Sequence, residues 1–161
     1  MEAATLGDEM MESIRTILVP VDFSEGSRRA LLYASELASR FGATIDVLHV
    51  WDVPTYLPSD TLITAGAQAW ELTRLVQHNA EGALEKFVTE AVESGIPIAR
   101  KRAEPGVASQ VIVDAAEHDR YDLIVMGTQG RTGLERVLLG SVAERVVRHA
   151  RCPVLTVRER T

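Results

Sequence analysis

Leu123-Ile-Val-Met126-Gly127-Thr-Gln-Gly130-Arg131-Thr-Gly133-Leu-Glu-Arg136-Val-Leu-Leu-Gly140-Ser141 runs from an apolar stretch, through spaced glycines, into a helical period. A short continuous apolar run suits a strand covered on both faces, as in a parallel sheet. After Ser141, Val142, Val146, Val147 and Ala150 recur at helical spacing. Glycines let backbone N–H groups turn toward a ligand without Cβ obstruction. Successive N–H groups form an anion nest. Ser141 reads as the cap of a helix whose N-terminus carries about half a positive charge. Strand, glycine loop and helix are thus the parts of a phosphate cradle. Arg131 and Arg136 either add charge to it or solvate a surface.

Working outward, Thr16–Val21 and Ile45–Trp51 are two further apolar runs, and Ile96–Ala103 and Val154–Val157 supply two more strands. Between them lie helical periods. Ala30, Leu31, Ala34, Leu37, Ala38 and Phe41 form one face of a helix, with Ser24 as its N-cap and Gly42 as its stop. Leu72 to Ala91 is a longer helix ending at Gly95, and a third opens at Pro105 with Ala108, Val111, Ile112 and Ala115 inward. Five strands alternating with helices mean an α/β fold, a parallel sheet with helices on both faces. The expected organisation is a flexible segment over 1–14 followed by a single domain over 15–161.

In open parallel sheets, ligands sit beyond the strand C-termini where the strand order reverses. If the order is 3-2-1-4-5, that point lies between strand one, ending Pro20-Val21-Asp22-Phe23-Ser24, and strand four, ending Met126-Gly127. Both segments then converge on one crevice. The outer strands differ. Pro97, Arg100, Lys101 and Arg102 mark the third as a protected edge. Val154–Val157 contains no charge, which invites pairing with a second copy; the other reading is a strand covered by the chain's own tail. The connection Asp52–Ala69, with Pro54, Pro58 and Gly66, is long for a structureless loop. Its Tyr56 and Leu57, with Trp70, either cover a ligand or pack on the domain's rim.

The 161 residues carry 23 acids and 17 bases, for a net charge of −6. An acidic chain is a poor non-specific binder of nucleic acid or membrane surfaces. The sign reverses over 127–161, which holds seven arginines against three glutamates, so the positive field sits with the glycine loop. One cysteine, Cys152, excludes an intrachain disulfide and fits a reducing compartment. Met1–Ser13 is acidic and lacks the apolar core of a signal peptide, and no stretch approaches about 20 apolar residues. The expected location is cytoplasmic. His49 reads as a packed strand residue; His78, His118 and His149 fall on helices without metal spacing.

The chain resembles the universal stress protein family from about Arg15 to Arg158. Ile17-Leu-Val-Pro-Val-Asp22-Phe-Ser-Glu25 is similar to that family's first strand and turn. Gly127-x2-Gly130-x9-Gly140-Ser141 matches its ATP-binding signature, and Arg151-Cys152-Pro153-Val154 resembles its entry to the last strand. The resemblance implies a Rossmann-like sheet of order 3-2-1-4-5 and a homodimer paired along Val154–Val157. It implies ATP or AMP in the crevice, with magnesium carried by the phosphates. Carried over by position, Pro20, Val21 and Asp22 line adenine and ribose, and Val50 meets the adenine edge through its backbone. Gly127 sits near the ribose. Gly130, Gly140, Ser141 and Val142 receive phosphates, and Met126 and Val154 add apolar wall. Asp22 has a second reading, as the cap of the turn that follows it.

No G-x-x-x-x-G-K-[ST] is present, so the chain is not a P-loop NTPase. It also lacks the H-x-G-H of nucleotidyltransferases and the Ser-Gly-Gly-x-Asp-Ser of ATP pyrophosphatases. Its two lysines, Lys86 and Lys101, do not supply the lysine after strand five that a receiver domain needs. The flavodoxin-like FMN reading fits the fold class but not the glycine spacing. The leading expectation is a nucleotide-responsive stress module rather than an enzyme. A slow ATPase and a nucleotide-independent docking subunit are the alternatives.

Overall fold

The computed structural model describes residues 14–52, 62–65, 68–128 and 139–158. Strand β1 is Thr16–Val21, helix α1 Glu25–Phe41 and strand β2 Thr44–Trp51. Strands β3 (Leu62–Ala65) and β4 (Gln68–Glu71) precede helix α2 (Leu72–Glu93) and strand β5 (Arg100–Pro105). Helix α3 (Ala108–His118), strand β6 (Leu123–Gly127), helix α4 (Ser141–His149) and strand β7 (Val154–Val157) complete the order. The main sheet is five-stranded, β5-β2-β1-β6-β7, with every pairing parallel. Counting its strands along the chain, this is the 3-2-1-4-5 order.

The near-continuous apolar strands are buried because both faces are covered. Ile17, Val19, Ile45, Val47 and Val125 pack on one face with Ala30, Leu31 and Ala34 of α1 and Leu84, Phe87 and Val88 of α2. Leu18, Leu48, Ile124 and Met126 pack on the other with Ile112 and Ala115 of α3 and Ala143 and Val146 of α4. Ile14, counted with the N-terminal segment in the sequence reading, packs against the first of these clusters.

Helix α1 begins and ends as its sequence directs. Ser24 is the N-cap, its Oγ accepting the Ser27 N–H at 3.2 Å, and Gly42 closes the helix at φ 66°. Three boundaries differ from expectation. The Ile96–Ala103 strand is instead Arg100–Pro105. Ile96 is apolar for another reason: its N–H donates to Ala91 O and that of Gly95 to Val92 O, a Schellman ending of α2 that buries Ile96 in the core. Pro105 closes β5, where an edge position tolerates the missing N–H, and α3 opens at Ala108. Ser141 is the first residue of α4; Gly140 occupies the cap.

The expected structureless connection contains an antiparallel hairpin, β3 with β4, in register Ile63↔Trp70. The β-prone Leu62-Ile-Thr64 and Trp70 either side of Gly66 account for it. Tyr56 and Leu57 lie outside the described residues, so a lid role for this connection has no structural account. The β5 edge is charged as expected. Arg100 pairs with Asp46 at 2.8 Å, Lys101 with Glu85, and Arg102 with Asp119 at 2.8 Å. Among the described residues, no helix is long and apolar enough to cross a membrane.

Candidate functional site: the crevice between β1 and β6

Strand β1 pairs with β2 along its whole length, from Thr16↔Thr44 to Val21↔His49. Its pairing with β6 stops after Ile17↔Leu123 and Leu18↔Ile124. Beyond that the two strands part, although each continues for three residues. Pro20, which cannot donate to a ladder, lies in the parted stretch. The parting opens a crevice at the C-terminal end of the sheet, where the strand order reverses.

The crevice has a volume of 420 Å³. Of the predicted site residues, Pro20, Val21, Asp22, Val50, Met126, Gly127, Gly140, Ser141 and Val142 all line it. Gly130 and Arg131 lie outside the described residues. Val154 is not in the lining: it pairs with Ile124 in β7 and packs, half-buried, against the second core cluster. The apolar lining is wider than the sequence reading, taking in Leu48, Ala108 and Ile112. Ser27, Asp52 and Thr128 add polar groups. These additions come from elements far apart in sequence, and only the alternation of β2 hinted that Leu48 and Val50 share a face.

Helix α4 starts at the crevice. Gly140, Ser141, Val142 and Ala143 all line it, and the cap residue, Gly140, has no side chain to bond the first N–H groups. The first N–H groups of a helix have no partner within it, so this end offers donors and the positive end of the dipole. Gly140 is seated by its own N–H, which donates to Thr128 O at 2.6 Å; the Thr128 N–H in turn donates to Val157 O. The position of the helix start is therefore tied to the end of β6 and to β7. Gly140 has φ −66° and ψ 156°, a conformation open to any residue.

At the opposite wall Asp22 holds the turn after β1. Its Oδ1 accepts the Ser24 N–H at 3.1 Å and the Ser24 hydroxyl at 2.5 Å. The capping reading of Asp22 thus describes a real contact, and the residue lines the crevice as well. His49 Nδ1 lies 2.9 Å from Val21 O, so Nδ1 carries the proton; the ring packs within β2 as expected. His78, His118 and His149 are exposed, and the described residues contain no group of three or more metal-ligating side chains. Cys152 is half-buried, and burial pushes its thiol pKa up.

The sequence model of the universal stress protein family matches residues 13–158. A universal stress protein of Methanocaldococcus jannaschii is 41% identical over 148 residues, 90% of this chain and 82% of that protein. The structure of the universal stress protein UspA from Lactobacillus plantarum superposes with a TM-score of 0.68 at 29% identity, covering 90% of this chain and 98% of that one. A family member from Arabidopsis thaliana, solved with AMP bound, shares the fold with a TM-score of 0.60 at 23% identity, over 91% and 93% of the two chains. Matched from its first described strand to its last, the chain belongs to the universal stress protein family.

Proposed function

We propose that this chain binds an adenine nucleotide, ATP or AMP, in the crevice between β1 and β6, and serves as a cytoplasmic homodimeric stress-response module. The observation that carries the reading is that the first turn of α4, Gly140 to Ala143, opens into a crevice with a largely apolar lining. The two halves suit the two ends of the ligand. Leu48, Val50, Ile112 and Met126 offer an apolar slot of the kind that accepts a purine. The α4 N–H groups and Ser141 offer donors to phosphate oxygens. Asp22, at the end of β1 in the same lining, suits ribose hydroxyls. Gly140 needs no glycine for its backbone angles, which agrees with a close approach of phosphate there. Magnesium would enter with the phosphates of ATP. AMP in the Arabidopsis relative supports the ligand class.

Val142→Glu tests the reading directly. Val142 is 37% exposed at the first turn of α4, where a carboxylate favours the helix. The variant is expected to melt no lower than the parent yet to bind ATP at least about tenfold more weakly, through charge repulsion. Unchanged ATP affinity would remove phosphate from the start of α4.

A further inference from the structure

We infer that Phe23 is a positioning residue for the nucleotide site: its ring, locked behind the sheet, sets the direction of the Asp22 carboxylate in front of it. The inference rests on the nucleotide reading above and names a residue that does not line the crevice.

Pro20, Val21 and Asp22 line the crevice, whereas Phe23 packs against the core beneath α1 and α2. Phe23 has φ 68°, a left-handed conformation uncommon for a bulky residue. Such a conformation persists where the surroundings over-determine it, and here they do. The Phe23 ring lies 4.3 Å from the His49 ring and 5.6 Å from the Phe87 ring, centroid to centroid. His49 is itself bound to Val21 O at 2.9 Å. The Arg28 guanidinium lies over the Phe87 ring, 5.0 Å from its centroid, and Arg28 pairs with Glu90 at 3.0 Å. The peptide between Val21 and Phe23 is therefore held at one end by the His49 ring on Val21 O and at the other by the tilted contacts of the Phe23 ring. Asp22 sits on that peptide, with Oδ1 bound to the Ser24 N–H and hydroxyl. Without the ring, residue 23 loses its anchor behind the sheet, and the peptide that carries Asp22 shifts with it.

A general loss of folding would weaken every ligand alike. A misdirected Asp22 would weaken only ligands with ribose hydroxyls to offer. The test is calorimetric titration of the full chain with ATP and with 2′,3′-dideoxy-ATP. Phe23→Asn keeps a residue that tolerates the left-handed region while removing the ring. The wild type is expected to prefer ATP by about tenfold, the scale of one hydrogen bond to a charged group. Phe23→Asn is expected to lose most of that preference, with dideoxy-ATP binding nearly unchanged. Phe23→Tyr is expected to retain it. In an Asp22→Ala background, Phe23→Asn is expected to change nothing further, because the two act through one contact. Should Phe23→Asn fold poorly, His49→Leu removes the other half of the ring contact and is expected to show the same selective loss. Equal weakening of both nucleotides, or a preference that survives in the variants, would overturn the inference while leaving nucleotide binding intact. Equal affinity of the wild type for both would overturn it too. A wild type that binds neither nucleotide would remove the nucleotide reading itself and the inference with it.

Discussion

A Cβ built on Gly127 would lie 2.9 Å from the carbonyl carbon of Gly26 and 3.1 Å from its oxygen. The last residue of β6 and the first turn of α1 are in backbone contact, and nothing larger than hydrogen fits between them. The first glycine of the Gly-x2-Gly signature thus has a packing duty besides its place in the crevice lining. Gly127→Ala must push α1 away from the sheet. Overpacking of this kind costs about 1–3 kcal/mol, so the melting temperature is expected to fall by roughly 2–10 °C even without nucleotide. A variant that melts with the parent would show that α1 yields freely.

Tyr121 and Asp46 form a buried pair at 2.6 Å, with Arg100 sharing the same Asp46 oxygen at 2.8 Å. Asp46 is 4% exposed, and its other oxygen has no hydrogen-bond partner among the described residues. Burial first, then the hydrogen bond to Asp46, pushes the Tyr121 pKa well above the usual tyrosine value. The sign follows from linkage. The unfolded chain gives up this proton near pH 10 and the folded chain holds it to higher pH. The contribution is therefore complete below about pH 10 and is lost as pH rises beyond it. Denaturant unfolding is expected to show stability falling as pH rises above about 10, with the slope reduced in Tyr121→Phe. At neutral pH that variant leaves Asp46 short of a donor and is expected to cost about 1–3 kcal/mol. Identical alkaline slopes would contradict the assignment.

Cys152 offers a simpler check, because it is the chain's single cysteine. Burial raises its pKa, so less thiolate is present at neutral pH than in a free cysteine. Reaction with a disulfide reagent at pH 7.5 is expected to be several-fold slower in the native protein than in guanidinium. A native thiol that reacts as fast as the unfolded one would place it at the surface.

Strand β7 ends the sheet and pairs only with β6 among the described strands. Leu155 on it is 37% exposed, and Val147 on α4 is 47% exposed. An apolar edge of this kind is a template for pairing with a second copy. The wild type is expected to scatter light as a dimer at micromolar concentration, and Leu155→Lys to shift toward the monomer. A wild-type mass of one chain would exclude pairing along β7.

The fold was legible because its signals are local. Apolar runs at β1, β2 and β6, the Ser24 cap and the Gly42 stop each act over a few residues, and all were readable from the chain alone. Errors arose where one residue type serves two purposes. Ile96 is apolar as the closing contact of a Schellman motif, not as a strand residue, and Pro105 ends an edge strand rather than starting a helix. The crevice was legible at the strand ends and the start of α4, which the topology rule and the glycine spacing both indicate. Ala108 and Ile112 were invisible as lining residues, because nothing near them in the chain says that α3 closes the crevice. The backing of Asp22 by Phe23 and Phe87 was equally hidden, since it joins residues some sixty positions apart through the opposite face of the sheet.

Adenine-nucleotide binding in the crevice between β1 and β6 is open to one direct measurement. Calorimetric titration of nucleotide-stripped protein with magnesium ATP at fixed salt tests it most directly. Saturable binding is expected at about one site per chain, with an ATP-dependent rise in melting temperature. No heat, together with no change in melting temperature, would contradict it, and the glycine-spaced segment would then serve only as the entry to α4.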